Sequence, residues 1–381
     1  MLKRLYVHNY KCLVNFEINF DKDISLFLGA NGSGKSTVFE VLSKLRRVIF
    51  YKTKVDGKTG KQVNEELEDV FEYNNQPRWL RNGNTDDIKF ELDINIQDSI
   101  YKYSLDINLG SVEQDKESPP IIKEECLFFN GNILVKSNAE KTLYFNENGV
   151  TEFEFNKSTS CIQHYCQYEA KEFWLYFQNL FFVRINPYSI NSYFQYQDNQ
   201  LNEDSSNFAE WISHLNEENR KGINEFENAM RHIMPEYEQF RIVQSGRYKQ
   251  LVMDFKNGNT KKPIIYSFEE LSEGQKSLFA LYALIYCAPE NSLICIDEPE
   301  NFLALPEIQP WLNELRDKCK ERNLQALLIS HHPSLINFLA PDSGYWFSRQ
   351  ENHTTFEKIT EQEEDGLSLA QLIEMGWIYG D

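Results

Sequence analysis

The sequence predicts an α/β protein, and three stretches carry that expectation. In the first, an apolar run at residues 24–28 leads into Gly29-Ala30-Asn31-Gly32-Ser33-Gly34-Lys35-Ser36-Thr37. Val38, Val41, Leu42, Leu45, Val48 and Ile49 then recur at helical spacing. Strand, glycine-rich loop and helix in that order form the setting of a phosphate-binding loop. In the second, Leu293-Ile294-Cys295-Ile296 runs into Asp297-Glu298, and in the third the apolar residues 326–329 run into Ser330-His331. Continuous apolar runs of this length read as strands of a parallel sheet buried on both faces, and ligands bind at the carboxyl ends of such strands.

Each element of the first stretch has a chemical use. Gly29, Gly32 and Gly34 let the backbone turn tightly and aim its N–H groups inward, and the helix N-terminus behind them favours an anion. Asn31, Gly32, Ser33, Gly34, Lys35, Ser36 and Thr37 line that cradle. Lys35 can reach β- and γ-phosphates, and the Ser36 hydroxyl suits Mg²⁺. At the second stretch, Asp297 can support the Mg²⁺ shell and Glu298 can polarise an attacking water as general base. His331, just beyond the third, can sense a γ-phosphate by hydrogen bonding; His332 reads as structural.

Composition bounds the class. At 381 residues the chain exceeds usual single-domain size, so a main core with an inserted or appended subdomain is expected. No apolar run is long enough to cross a bilayer and no leader sequence is evident, which predicts a soluble, cytoplasmic protein without a membrane partner. The seven cysteines are scattered with no Cys-x-x-Cys pair, a pattern of reduced core thiols and not of a zinc site. A net charge of −19 disfavours broad nonspecific nucleic-acid binding. A local exception runs from Lys44 to Lys61, where Lys44, Arg46, Arg47, Lys52, Lys54, Lys58 and Lys61 face only Asp56. That patch can contact nucleic acid or an acidic partner; its plainer reading is a solvated helix end.

Along the chain, residues 2–7 and 14–20 read as strands around a turn at 9–13. Residues 55–85 read as loops. Alternating segments at 88–96, 101–109, 127–135, 142–145 and 153–155 predict an antiparallel sheet, with Asn130-Gly131-Asn132 and Glu147-Asn148-Gly149 as hairpin turns and residues 116–120 as a loose loop. Helical patterns follow at 163–180 and 207–234, a strand at 180–185, and strands near 240–244 and 248–255. Leu271-Ser272-Glu273-Gly274-Gln275-Lys276-Ser277 then opens an apolar helix. By itself this is either an anion site at a helix N-terminus or an ordinary cap. The expected domains are an ATPase-type core at 1–55 and 265–350 in two lobes, an insertion at 56–264 that is β-rich then helical, and a tail at 351–381.

The order of these motifs resembles the ATP-binding-cassette (ABC) ATPases, in particular their soluble RecF/SMC/OLD-like branch. Asn9-Tyr10-Lys11 is similar to that branch's Asn-Phe-Arg/Lys turn, and Asp297-Glu298-Pro299-Glu300-Asn301 to its Asp-Glu-Pro-Glu-Asn. The closing Met375-Gly376-Trp377-Ile378-Tyr379-Gly380 resembles the tail of small ATPases from bacterial anti-phage systems of the retron and Septu kind. The resemblance covers roughly 1–50 and 265–350. It implies an ABC-type P-loop head with an N-terminal antiparallel β subdomain and an inserted mixed β/helical subdomain. It also implies a homodimer with ATP and Mg²⁺ sandwiched between copies. Each loop would face the other copy's Ser272, Gly274 and Gln275, with Lys11 near the nucleotide, His331 reading the γ-phosphate and Glu298 driving hydrolysis.

The sequence departs from the family at Leu303-Ala304-Leu305-Pro306, where Leu-His-Pro is common. No obvious counterpart exists for the glutamine that often helps hold Mg²⁺; Asn186 is nearest by layout. The acidic run Glu361, Glu363, Glu364 and Asp365 lacks a following Asp-x-Asp strand, so no nuclease of the OLD type is expected. The leading expectation is therefore an ATPase switch that regulates a separate effector, a nuclease or toxin, in bacterial anti-phage defence. The alternative is a RecF-like DNA-binding repair ATPase using the Lys44 to Lys61 patch. The strand-rich insertion argues against a transporter ATPase.

Overall fold

The computed structural model of the protein describes residues 1–50, 53–55, 62–80, 87–110, 112–113, 116–138, 140–146, 149–154, 156–258, 260, 262–360 and 367–376. They form two compact units. The first comprises residues 1–22, 27–180 and 345–358; the second comprises 23–26, 181–344 and 359–381.

The first unit is built on an eight-stranded antiparallel sheet. Its spatial order is Gly149–Glu154, Lys141–Asn146, Asn132–Ser137, Ile121–Phe129, Ser99–Asn108, Ile88–Ile96, Leu2–His8 and Phe16–Asn19. Period-two alternation explains it: in Ile88–Ile96, Ile88, Phe90, Leu92, Ile94 and Ile96 are buried and the residues between them half-exposed. The N-terminal pair and the inserted strands are one sheet, because Leu2–His8 lies between Phe16–Asn19 and Ile88–Ile96. The helix Lys35–Ile49 buries Val38, Phe39, Val41, Leu42, Leu45, Val48 and Ile49, the predicted stripe plus one ring. Residues 55–85 are less irregular than expected. Thr53–Val55 pairs with Gln62–Asn64, and Leu67–Val70 forms one helical turn closed by reciprocal bonds between Glu66 and Asp69. The loose loop expected at 116–120 instead contains a two-residue strand, Lys116–Glu117, paired with Val112–Glu113.

The second unit contains the parallel pair Leu293–Asp297 and Gln325–Ile329, in register from Leu293 opposite Gln325 to Asp297 opposite Ile329. Helices Glu273–Cys287, Leu305–Glu321 and Pro333–Ser343 follow the chemical motifs. A smaller antiparallel sheet, Tyr237–Ser245 with Tyr248–Phe255, packs on Glu273–Cys287 through Phe279, whose ring meets Tyr237 at 5.1 Å and Phe268 at 5.9 Å. Phe226 of helix Arg220–Ile233 reaches the same ring at 6.1 Å. The carbonyls left over at the end of Glu273–Cys287 are taken by side chains. Arg322 donates to Ile285 and Tyr286, and Asn219 to Cys287. That anchors the far end of the helix whose near end carries Ser272.

Within the first unit one carboxylate lies fully inside the protein. Glu125, on strand Ile121–Phe129, accepts bonds from Tyr103 Oη at 2.8 Å, Ser160 Oγ at 2.5 Å, the Cys161 backbone N–H at 2.8 Å and Cys161 Sγ at 3.0 Å. It thereby ties residues 160–161, which lead into helix Ile162–Glu169, to the sheet. Glu125→Leu leaves these donors unpaired, and a loss of about 3 kcal/mol in urea unfolding is expected. Burial holds the Glu125 carboxyl above the usual carboxylate range, against the pull of its donors. Ionising it then costs more in the folded protein than in the unfolded chain. Its contribution is fully present below the ordinary glutamate value, about 4.3, and is lost as pH rises through the raised one. Glu125→Gln should remove that part of the slope in unfolding midpoints compared between about pH 4 and pH 8.

Candidate functional site

The buried strand Ile24–Gly29 runs straight into the glycine-rich loop. Gly29 has φ +129°, and a Cβ there would fall 2.0 Å from the Phe347 carbonyl oxygen, so no other residue fits. Gly34, at φ +107°, is crowded in the same way: its Cβ would lie 2.2 Å from Thr354 Oγ1. That hydroxyl donates to the Ser33 carbonyl at 2.9 Å, and the Thr354 backbone N–H donates to the Cys12 carbonyl at 2.9 Å. One residue of the hairpin Gly344–Gln350/His353–Lys358 therefore fixes both the loop and the turn after the first strand. Lys35 is buried, with Nζ donating to the carbonyls of Gly29 at 2.6 Å and Ala30 at 3.0 Å and lying 3.5 Å from Ser33 Oγ. Asn31, Gly32 and Ser36 are exposed, and Thr37 is half-exposed with Oγ1 3.7 Å from Cys12 Sγ.

Beside the loop opens a cavity of ≈ 760 Å³ lined by Lys11, Gly32, Thr37, Gln76, Arg78, Trp79, Arg349 and Asn352, among others. Its size is that of a small-molecule pocket. Trp79 is 45% exposed and lies against His353, ring centroids 5.1 Å apart and 34° between planes. Lys11 reaches the cavity from a backbone at φ +49°, but its ammonium is bound by both oxygens of Glu40, each at 2.6 Å. Tyr10 Oη donates to the same carboxylate at 2.7 Å, and burial together with the Glu40 charge pushes the Tyr10 phenol far up.

In the second unit the parallel register places Asp297 opposite Ile329, so the two predicted strand ends lie side by side. The Glu298 N–H donates to the Ile329 carbonyl at 2.8 Å, and Asn301 Nδ2 donates to Glu298 Oε2 at 2.9 Å. Glu300, which sequence reasoning gave no role, accepts from Ser330 Oγ at 2.6 Å, and its burial raises its pKa. Glu298 at φ +53° and Phe302 at φ +70° both hold the left-handed backbone that costs non-glycine residues about 1–3 kcal/mol each. His332 Nδ1 accepts from the Ser334 N–H at 3.1 Å and caps helix Pro333–Ser343, while His331 is exposed. Ser272 is both alternatives at once in position: it is an exposed residue at a helix N-terminus, and its side chain is in a capping box. Ser272 Oγ accepts from the Gln275 N–H at 3.3 Å, and Gln275 Oε1 accepts from the Ser272 N–H at 3.0 Å. Gly274 packs on the 298–302 loop; a Cβ there would lie 2.9 Å from the Phe302 carbonyl oxygen.

The basic patch after the phosphate loop is partly consumed by the fold. Lys44 donates to the Val70 carbonyl, sits 5.3 Å over the Phe71 ring and has a pKa lowered by burial. Arg47 is paired with Glu65 at 2.9 Å and with the Asp69 carbonyl. Lys52, Lys58, Lys61, the Lys54 side chain and the acidic run at 361–365 lie outside the described residues. Among the described residues no helix is long and apolar enough to cross a membrane.

Of the residues that shape the loop, Thr354, Phe347 and Trp79 carried no motif. Their roles follow from contacts distant in sequence; only the Pro77-Arg78-Trp79 step, an aromatic and a cation in a polar segment, was a usable signal. Thr354→Ala should weaken Mg-ATP binding about threefold to tenfold, the worth of one hydrogen bond, in a fluorescent-nucleotide titration, with little change in unfolding midpoint.

The family model described as "AAA domain, putative AbiEii toxin, Type IV TA system" matches residues 24–337. The match covers more than half of the sequence, and the chain belongs to this family of AAA ATPases. A search of curated proteins returned no match. Among solved structures, the SMC head domain from Thermotoga maritima is 14% identical, covering 94% of this chain and 98% of its own, with a TM-score of 0.46. An SMC head solved bound to the C-winged helix domain of ScpA is 12% identical, with coverage of 94% and 98% and a TM-score of 0.51, a likeness of fold.

Proposed function

We propose that this AAA-family chain is a Mg-ATP-hydrolysing clamp: two copies close on nucleotide and open after hydrolysis, and the cycle regulates a separate effector in bacterial anti-phage defence. The observation that carries the nucleotide part is the loop around Lys35, opening onto a cavity whose wall includes Lys11, Thr37 and Trp79. The triphosphate takes the loop, where Lys35 exchanges its carbonyl partners for phosphate oxygens. The base takes the cavity, with Trp79 as its stacking face. Ser36 and Asp297 are hard oxygen donors suited to Mg²⁺, which neutralises phosphate charge when bound. Asn31, Gly32, Ser33 and Gly34 supply backbone donors to the phosphates.

Glu298 takes a proton from water as the water oxygen bonds to the γ-phosphorus and the bond to the β-phosphate oxygen breaks, leaving ADP and phosphate. His331, whose neighbour is occupied in capping, contacts the γ-phosphate. Ser272, Gly274 and Gln275 of a second copy close over the nucleotide. Their capping box leaves the Ser272 hydroxyl exposed at a helix N-terminus, a position that favours an anion. The defence role and the effector rest on the family's description, which names a toxin–antitoxin system, and on the resemblance of the C-terminal tail. A RecF-like use of the Lys44 to Lys61 patch is disfavoured by the pairing of Lys44 and Arg47.

Lys35→Ala should abolish nucleotide binding. Glu298→Gln should keep binding and lower phosphate release by about 10²–10⁴-fold, and its mass by light scattering should double with Mg-ATP. A mass that ignores ATP in the Glu298→Gln protein would refute the clamp. Trp79→Ala should weaken binding about tenfold without changing the turnover of saturated enzyme. Co-expression with the neighbouring gene tests the regulatory part; no complex, and no Lys35-dependent change in the neighbour's activity, would dispose of it.

A further inference from the structure

A second cavity, of ≈ 930 Å³, lies within the second unit and shares no residue with the phosphate loop. Three helices wall it. Arg220–Ile233 contributes Lys221, Glu225, Asn228 and His232, spaced three or four apart and so on one helix face. Glu273–Cys287 contributes Tyr282 and Tyr286, whose rings lie 17° from parallel with centroids 6.4 Å apart. Leu305–Glu321 contributes Asn313, Glu314 and Lys318. Glu290 and Arg322 follow the ends of the last two helices and complete the polar lining.

The cations and donors of this cavity are already used. Arg322 donates to the carbonyls of Ile285, Tyr286 and Ala288, and Asn219 Nδ2 to that of Cys287. Lys318 Nζ pairs with Glu321 at 2.7 Å and lies 4.8 Å over the Tyr286 ring. His232 Nδ1 donates to the Asn228 carbonyl at 2.7 Å. Lys221 is exposed and comes no closer to Glu225 than 4.0 Å. Acceptors remain. One Glu314 oxygen takes the Tyr286 hydroxyl at 2.7 Å and the other takes nothing; neither Glu314 nor Glu290 makes an ion pair among the described residues. Tyr282 is 1% exposed, yet its hydroxyl has no hydrogen-bond partner among the described residues and is not sealed from solvent as the orphaned Trp311 Nε1 is. A buried hydroxyl left unpaired is costly, so Tyr282 marks a place for a ligand group. Burial and then the Glu314 charge push the Tyr282 phenol far up; burial, Glu314 and Glu225 do the same to Tyr286, so acid charge prevails at both rings.

We infer that this cavity binds a linear polyamine, with ammonium groups paired to Glu225, Glu290 and Glu314 and one N–H donated to the Tyr282 hydroxyl. The three carboxylates belong to separate segments, which suits a ligand with several separated positive donors. A single metal ion does not meet that pattern: among the described residues no group of three His, Cys, Asp or Glu side chains is placed to hold one. Ammonium-to-carboxylate bonds are the stronger kind, and Lys318 over Tyr286 shows one ring of the pair already receiving a cation. Ala229, Ile233 and Pro310 supply apolar wall for methylene spacers. The inference stands apart from the nucleotide reading, since none of these residues belongs to the phosphate loop or its cavity.

The test is isothermal titration calorimetry of spermidine into the full chain at about 0.15 M salt, where attraction to the overall negative charge is screened. One saturable site per chain is expected. Glu225→Gln with Glu314→Gln should weaken it by about tenfold or more, and Tyr282→Phe, which removes only the hydroxyl, by about threefold to tenfold. Glu68→Gln with Glu357→Gln removes the same charge from exposed positions outside the cavity and should leave the affinity unchanged. Absence of a saturable site overturns the inference. So does an affinity unchanged in the Glu225/Glu314 variant, or equal displacement by Mg²⁺ at matched ionic strength, which would mark a counterion only. Octa-arginine bound where spermidine is not would mark a docking surface for a basic protein segment and overturn it as well. Unfolding midpoints by circular dichroism report that the variants are folded, and Tyr282→Phe keeps the packing should the double variant fail.

Discussion

The phosphate loop depends on a close approach that only two glycines permit. Gly29 lies against the Phe347 carbonyl and Gly34 against the Thr354 hydroxyl, and Thr354 holds the Ser33 carbonyl. A side chain at either glycine would displace the strand behind it. The glycine spacing that marks the motif is thus a packing requirement as much as a conformational one. With the loop backbone fixed, Lys35 is held inside by two carbonyls, and the helix Lys35–Ile49 starts from Gly34, whose carbonyl accepts from the Thr37 and Val38 N–H groups.

A comparable constraint acts at residues 298–302. Two non-glycine residues hold left-handed backbone, and the strain is balanced by short bonds from Asn301 to Glu298 and from Ser330 to Glu300. The loop presents Glu298 with one carboxylate oxygen engaged. It also exposes Phe302, whose ring meets Tyr188 at 5.7 Å. The helix carrying Ser272 is fixed to this loop by the Gly274 contact at one end and held by Arg322 at the other. Glu298, the cap at Ser272 and the end of strand Leu293–Asp297 are thereby tied to one another within the second unit.

Much of this was legible in the sequence because it is local. Strands with strict alternation, the phosphate loop, the strand ending in Asp297-Glu298 and the cap at Ser272 are all written in neighbouring residues. The parallel pairing of the two core strands followed from their uniform apolarity. What was not legible depends on partners far apart in the chain. The Glu125 network, the joining of strand Leu2–His8 to Ile88–Ile96, and the Trp79–His353 pair have no local signature. The patch from Lys44 to Lys61 shows the converse: a run of charge reads as a surface, but Lys44 and Arg47 have internal partners that sequence does not reveal.

The Thr354–Ser33 bond has a consequence in time. Its two residues are 321 positions apart. At roughly 5–20 residues per second, roughly 16–64 s of synthesis separate the appearance of the glycine-rich loop from that of the residue that secures it. Throughout that interval the nascent chain carries a loop without its fastening. Acquisition of a finished phosphate site is thus tied to near-completion of the polypeptide, and a ribosome stalled before residue 354 leaves a product whose loop is unsecured.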